Sequence, residues 1–391
     1  MRRKIQWFVF FMVFSGVAAF GQQSGVQVTP YGYLKFDVTH DTARTSYGDL
    51  AFWVMPDSAV RSDERELNFS AREARLGLNI VAPETRGIKT TGRLEVDFYE
   101  DLPTPNKYSL RMRLAYVDLA WSNGWSLRFG QDWDTYNSFH PDMVDASALG
   151  HQGHPYSRHP QARVTKDTKL GENTTLTAKF ALQYGRNGSN VDVNFGDNQP
   201  DENAGSVPAF HGSLVLKSRL LTERQSTFAL SGAYGREKVN ASDNPGIYDT
   251  WLIHGGVQLP LSQRFTLQGI VWKGVNMDNH LAGIGQGINI VKGTEVATYG
   301  AWGQLVYNLT KNTRTSFGYG IEDPDDKDLE GIPMPQNEEP RLLNERIFAN
   351  FFYNATENVS FGVEYSHMRT DYEVSKDMKN HRVNFAVFYR F

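Results

Sequence analysis

The 391-residue sequence predicts an all-β fold: a transmembrane antiparallel β-barrel of sixteen strands, with short periplasmic turns and long extracellular loops. Three observations predict it. Val383, Phe385, Val387, Tyr389 and Phe391 share one face of a final strand, while Arg382, Asn384, Ala386 and Arg390 share the other. That is the alternation of a strand with lipid on one side and water on the other. Arg2, Arg3 and Lys4 precede an apolar run from Ile5 to Phe20, closed by the small residues Ala18, Ala19 and Gly21, the order of an export signal. Mean hydropathy is only −0.48 although aromatic residues make up 13%. A barrel spreads its apolar side chains over every second position, so its average stays low.

Taken in order, residues 1–21 read as a cleaved signal peptide, too short for a membrane anchor and followed by no basic stop-transfer cluster. Losing Arg2, Arg3 and Lys4 takes the formal net charge from −4 to −7, and a mildly acidic chain implies no nucleic-acid partner. Residues 22–29 form a short periplasmic segment, and the barrel occupies 30–391 with no linker and no plug domain before it. Alternating segments place strands at 30–42, 66–82, 88–100, 109–121, 124–133, 158–166, 173–186 and 207–219. They continue at 224–236, 247–259, 264–275, 293–309, 312–322, 344–353, 357–369 and 379–391. Tight connections such as 83–87, 122–123 and 260–263 alternate with long ones at 43–65, 134–157, 187–206, 276–292 and 323–343. The weak segment at 158–166 leaves fourteen as an alternative count, and eighteen is another. Trp121, Trp125, Trp133, Tyr307, Tyr353 and Tyr389 near strand ends suit interfacial girdles. The absence of cysteine excludes disulfide frameworks and thiolate metal sites.

A sixteen-stranded barrel encloses water, so lumen-facing side chains decide what passes. In 88–100, Leu94, Val96 and Phe98 face lipid, which turns Arg93, Glu95, Asp97 and Tyr99 inward. Leu127 and Phe129 turn Arg128 inward, and Ala162 and Val164 do the same for Arg163. In 109–121, outward Leu110, Met112 and Leu114 put Arg111 and Arg113 inside, but Val117, Leu119 and Trp121 have the opposite phase. A bulge near Ala115 to Val117 would reconcile them, as would burial against a subunit or an inward-folded loop. Segment 66–82 has the same defect: Leu76, Leu78 and Ile80 put Glu73 and Arg75 inside, while Leu67 and Phe69 are out of phase. Arginine keeps its charge and matches a carboxylate or phosphate bidentately. The inward arginines would form a ladder drawing small anions through the narrow zone, with Glu95 and Asp97 holding some of them extended. The alternative is mutual neutralisation in a polar lumen with no selection.

Residues 134–157 are long enough to fold inward as a constriction loop. They carry Asp142, Asp145, His151 and His154, with Arg158 and His159 just beyond; the histidine spacings match no metal template, so a solvated loop, no metal site and no cofactor are expected. The acidic run 322–328 lacks the glycine and spacing of a calcium loop and reads as an exposed loop tip. His254 and His367 lie in strands without a nucleophile motif, which weighs against a barrel-wall hydrolase and for a non-enzyme. A sugar or general-diffusion porin and a non-conducting adhesin are the remaining readings.

The segments Phe69 to Gly77 (FSAREARLG), Gly92 to Phe98 (GRLEVDF), Leu110 to Tyr116 (LRMRLAY), Phe129 to Gln131 (FGQ) and Pro160 to Arg163 (PQAR) occur in this order within residues 30–165. Through them the chain resembles the DcaP-like porins, trimeric outer-membrane channels of Gram-negative bacteria. The resemblance implies sixteen strands and passage of small anions, dicarboxylates among them, with Arg75, Arg93, Arg111, Arg113 and Arg163 in the matching segments. It also implies a homotrimer in outer-membrane lipid and lipopolysaccharide, inserted by the barrel assembly machinery through a terminal aromatic signal at Tyr389 and Phe391. Such porins can carry a coiled-coil extension before the barrel. No heptad segment follows the signal peptide here, so trimer contacts are expected from the barrel wall, with the out-of-phase strands 66–82 and 109–121 as candidates.

Overall fold

The computed structural model describes residues 25–58, 64–99, 108–184, 202–203, 207–239, 244–334 and 338–391; the expected signal segment lies outside them. Sixteen antiparallel strands close one barrel. They are β1 (Gln27–Asp41), β2 (Glu66–Ser70 and Arg75–Val81), β3 (Ile88–Asp97), β4 (Arg111–Trp121), β5 (Trp125–Trp133), β6 (Arg158–Lys169), β7 (Thr174–Gln183) and β8 (Ala209–Ser218). There follow β9 (Ser226–Val239), β10 (Gly246–Pro260), β11 (Phe265–Val275), β12 (Ala297–Asn308), β13 (Thr313–Pro324), β14 (Arg341–Asn354), β15 (Val359–Tyr372) and β16 (Lys376–Arg390). Each strand pairs with the next, and β1 closes on β16 from Tyr33 opposite Arg390 to Asp41 opposite Arg382. Gly32 and Phe391 exchange backbone hydrogen bonds of 3.2 Å at the seam, so the sheet has no free edge there. The segment read as weak at 158–166 is the first part of a full strand, β6. Among the described residues no helix is long and apolar enough to cross a membrane, and crossing falls to the strands.

The final strand alternates as its side chains dictate. Val383, Phe385 and Tyr389 are exposed on the outer wall, while Arg382, Asn384 and Ala386 are buried inside. Tyr307 stacks on Phe265 with ring centroids 4.3 Å apart, and Trp125, Tyr353 and Tyr389 are exposed, as interfacial aromatics are. Trp133 departs from that expectation: its ring turns inward, between Arg113 and Arg158.

Both phase faults have local causes. In β2 the chain from Ser70 to Arg75 spans one residue more than the facing stretch Tyr33 to Asp37 of β1. The extra residue lets Leu67 and Phe69 face out above the break, and Arg75 face in below it. In β4 the register slips between Glu95, opposite Leu114, and Val96, opposite Met112. Arg113 is therefore the bulged residue, earlier than the expected Ala115 to Val117. Leu114, expected on the lipid side, is buried opposite Glu95. A bulge puts two successive side chains on one face, which is how Arg113 and Leu114 both come to point inward. Neither fault needs a subunit contact to explain it.

Residues 134–157 cross the interior to the far wall. Gln268 on β11 donates to His140 O, Trp272 to Gly153 O, Asn350 on β14 to Asp142 O, and Asn344 to His151 O. Tyr136, Phe139 and Leu149 of the loop join Leu252, Trp272 and Phe348 of the wall in the largest apolar cluster. The loop is thus buried, not solvated: its backbone finds donors among the polar side chains that a barrel lumen supplies. Glu322, expected on an exposed tip, is buried in β13, where it accepts from Gly153 N and Ile284 N.

Candidate functional site

Arg75, Arg93, Arg111, Arg113, Arg128 and Arg163 stand on five neighbouring strands, β2 to β6, and share four carboxylates. Glu95 meets Arg75 at 3.6 Å, Arg93 at 3.5 Å and Arg113 at 2.8 Å. Asp97 takes Arg111 bidentately, at 2.9 and 2.7 Å, and Arg113 at 2.8 Å. Arg128 joins Asp118 and, at 2.6 Å, Asp132, which also holds Arg163 at 2.9 Å. Alternation within β5 puts Arg128 and Asp132 on one face, and pairing sets Arg163 directly opposite Arg128. Two like charges face each other across that ladder, so Asp132 between them is electrostatically required.

Aromatic rings support the guanidinium groups. Arg93 lies 4.6 Å over Tyr31, Arg75 5.2 Å over Tyr33, Arg111 5.4 Å over Tyr99 and Arg128 3.8 Å over Tyr116. Stacking of this kind holds a planar cation in place without spending its outward donors. The Tyr31 hydroxyl also donates to Glu95 at 2.9 Å and accepts from Arg93 at 2.5 Å.

Two cations add to the wall. Pairing of β4 with β5 stops at Ala115 and Gln131, whereas β5 and β6 continue to Trp133 and Arg158. The end of that hairpin leaves the wall, and Arg158 lies 4.6 Å over Trp133, with Arg113 5.5 Å from the same ring. Arg158 forms no ion pair among the described residues, and its Nη1 is buried without a hydrogen-bond partner. Lys179 on β7 faces Arg163 and Arg128, likewise without an ion pair among the described residues. Sequence reasoning missed Tyr31, Asp118, Asp132 and Lys179, and placed Arg158 beside the loop without assigning it to the wall. The i, i+2 and i+4 spacing of Arg128 and Asp132 was a usable signal for Asp132; Arg158 had none.

The loop opposite the ladder is charge-neutralised. Burial opposes ionisation of Asp145, but Arg346 at 3.1 Å and Arg382 at 2.9 Å prevail and hold it below the usual carboxylate range. Burial pushes His151 down to about 3 and His154 down to about 4, so both are neutral at pH 7. Asp142 binds Arg314 bidentately at 2.7 and 2.9 Å. His254 lies beside Tyr136 in the interior and His367 beside His381 on the outer wall, so the two do not share a site.

No family model matches the sequence, and no curated protein sequence matches it. Solved structures do. The outer-membrane channel DcaP of Acinetobacter baumannii superimposes with a TM-score of 0.75 at 23% identity, covering 94% of this chain and 98% of that one. The anion-selective porin of Comamonas acidovorans gives 0.62 at 12% identity over 94% and 100% of the two chains. A trimer form of OmpT, an outer-membrane protein of Vibrio cholerae, gives 0.55 at 10% identity over 94% and 99%. At these identities the likeness is one of fold: a sixteen-stranded porin barrel shared along nearly the whole chain.

Proposed function

We propose that this chain is a passive porin of the Gram-negative outer membrane that prefers small anions, dicarboxylates among them. Solutes would pass between the arginine wall of β2 to β6 and the inward loop 134–157. The observation that carries the reading is the inequality of charge: six arginines share four carboxylates on adjacent strands, and Arg158 and Lys179 stand beside them without ion pairs of their own among the described residues. A solute carrying two carboxylates can meet partly exposed guanidinium groups on successive strands, whose forked donors fit that geometry. Likeness in fold to a channel described as anion-selective and to a protein with a trimer form supports the anion preference and a homotrimer. The seam at Tyr389 and Phe391 fits the expected assembly signal, and the exposed apolar girdle fits lipid and lipopolysaccharide.

A second reading has its own observation. Each of the six arginines is ion-paired, as in a general-diffusion porin whose charges only brace the wall. Reversal potential across a planar bilayer under a salt gradient, with and without millimolar succinate, separates the two. Anion selectivity with succinate-dependent block supports the proposal. Succinate-insensitive, weakly selective conductance would leave the general porin.

A further inference from the structure

Asp134 sits at the root of the inward loop with its carboxylate buried, and among the described residues neither lysine nor arginine pairs with it. Its neighbours are histidines and a tyrosine. His159 Nδ1 lies 2.8 Å from Oδ1, the Tyr136 hydroxyl 2.6 Å from Oδ2, and His280 Nδ1 3.4 Å from Oδ2 and 2.8 Å from the Tyr136 hydroxyl. All three of Asp134, His159 and His280 are buried, and their ligating atoms lie within 4.8 Å of one another. The contrast with Asp145, also fully buried but held by two arginines, is informative. A carboxylate taken out of water needs a compensating positive charge. Here the protein offers only imidazoles. Further donors close around the same point: His211 stacks 5.8 Å from Tyr136 and lies 6.2 Å from His280. His159 Nε2 and His211 Nδ1 are both buried without a hydrogen-bond partner.

We propose that Asp134, His159 and His280 bind one divalent transition-metal ion, Zn2+, with the Tyr136 hydroxyl as fourth donor. Two imidazoles and a carboxylate are a donor set that zinc takes. Bonds of about 2.0–2.1 Å in a tetrahedron set neighbouring ligand atoms about 3.3 Å apart. His280 Nδ1 already stands at that spacing from Asp134 Oδ2, whereas His159 Nδ1, 2.8 Å from the other carboxylate oxygen, and the Tyr136 hydroxyl, 2.6 Å from Oδ2 and 2.8 Å from His280 Nδ1, must spread apart to admit the ion. The ion would join three separate stretches of chain: the root of loop 134–157, the first turn of β6, and the loop that follows β11. It would act as a clip that ties loop 134–157 to β6 and to the segment after β11, independently of whether the pore prefers anions.

The test uses the folded, detergent-purified barrel, stripped with chelator and titrated with Zn2+, with Co2+ as a spectroscopic probe. His367 and His381, 4.7 Å apart on the outer wall, are a rival external pair, so His367→Ala/His381→Ala serves as the background. One Zn2+ per chain, a tetrahedral Co2+ absorption band and a raised temperature for conversion of the folded gel band support the clip. Removing a direct ligand in His280→Ala or His159→Ala then weakens Zn2+ by more than about tenfold, since even outer partners cost 10–100-fold. Asp134→Asn keeps the shape and removes the charge, and covers the case in which a histidine variant does not fold. Absence of stoichiometric Zn2+, or binding that survives in His280→Ala and Asp134→Asn but vanishes with the outer pair, overturns the proposal. The cluster is then a hydrogen-bonded network without a metal ion.

Discussion

Replacing Arg111 and Arg113 together by alanine measures what the arginine wall does to a passing ion. The wild-type cluster of six arginines and four carboxylates carries an excess of two positive charges, and the double variant carries none. An ion about 7 Å from each lost charge feels roughly 0.6 kcal/mol per charge at a water-like dielectric. Screening at 0.1 M salt, where the Debye length is about 10 Å, halves the combined effect to about 0.6 kcal/mol, a change of about threefold for anions. Cations gain what anions lose, so the permeability ratio shifts roughly sevenfold at 0.1 M and further at 0.01 M. Zero-current potential under a KCl gradient reads this directly. Arg113 also covers the buried Glu95 and Asp97, so its loss strands two carboxylates. Adding Glu95→Gln and Asp97→Asn leaves four arginines with two carboxylates and restores the excess; the ratio should return to within about twofold of wild type, the two charge terms again being equal. A double variant that folds and keeps its selectivity, or a quadruple variant that stays at the double variant's value, would refute the charge argument.

Three further predictions concern the inward loop. Asp145→Ala leaves Arg346 and Arg382 fully buried without their shared partner, a loss of about 3–5 kcal/mol for a broken buried pair; the midpoint at which heat converts the folded gel band should drop, and an unchanged midpoint would mean Glu364 and Asp41 suffice. Gly320→Ala places a methyl 2.1 Å from Gln152 O, pushing the loop off the wall and altering single-channel conductance, whereas Gly255→Ala, with open space, should not. His151 and His154 take a proton near pH 6.5 in a released loop but only at about 3 and about 4 when docked. The released loop therefore binds more protons below pH 6.5, and the stabilisation, full above that pH, is lost progressively as pH falls through about 4 for His154 and about 3 for His151. Current flicker should rise over that window, and His151→Gln/His154→Gln should flatten the rise.

The barrel was legible because its signal repeats. Period-two alternation marks each strand, and one wrong residue does not erase it: each of the sixteen segments drawn from the sequence overlaps one strand of the barrel. Phase within a strand was less legible, since a bulge is one residue in length and carries no composition of its own. Leu114 shows the difficulty: in sequence it continues the outward period of Leu110 and Met112, and only the register slip at Arg113 turns it inward. The loop was misread for another reason. Its histidines have local spacings that match nothing, because their partners come from elsewhere in the chain: Asp134 meets His159 and His280, 25 and 146 residues away, and Asn344 reaches His151 across 193. Spacing rules find sites whose ligands share a turn; a lumen gathers them from around its circumference.

The most deeply held arginines are not the ones the proposed path sets against solute. Arg346 and Arg382 have no exposed side-chain surface, and their charge is closed by Asp145, Glu364 and Asp41 at 2.9–3.4 Å. Both guanidinium groups are thus answered at contact distance by three carboxylates that are themselves buried, which leaves no surplus of cations on this side. On the opposite wall Arg93, Arg111 and Arg75 keep 37%, 29% and 24% of their side chains exposed, each on an aromatic ring that leaves outward donors free. Arg113 and Arg163, at 7% and 9%, are better placed to fix Glu95, Asp97 and Asp132 than to touch a passing ion. The interior is therefore divided by burial: one half holds its arginines among buried carboxylates against a loop, and the other, on the proposed reading, keeps a surplus of cations at the edge of water. Transport selectivity should follow substitutions in the second half, and folding stability those in the first.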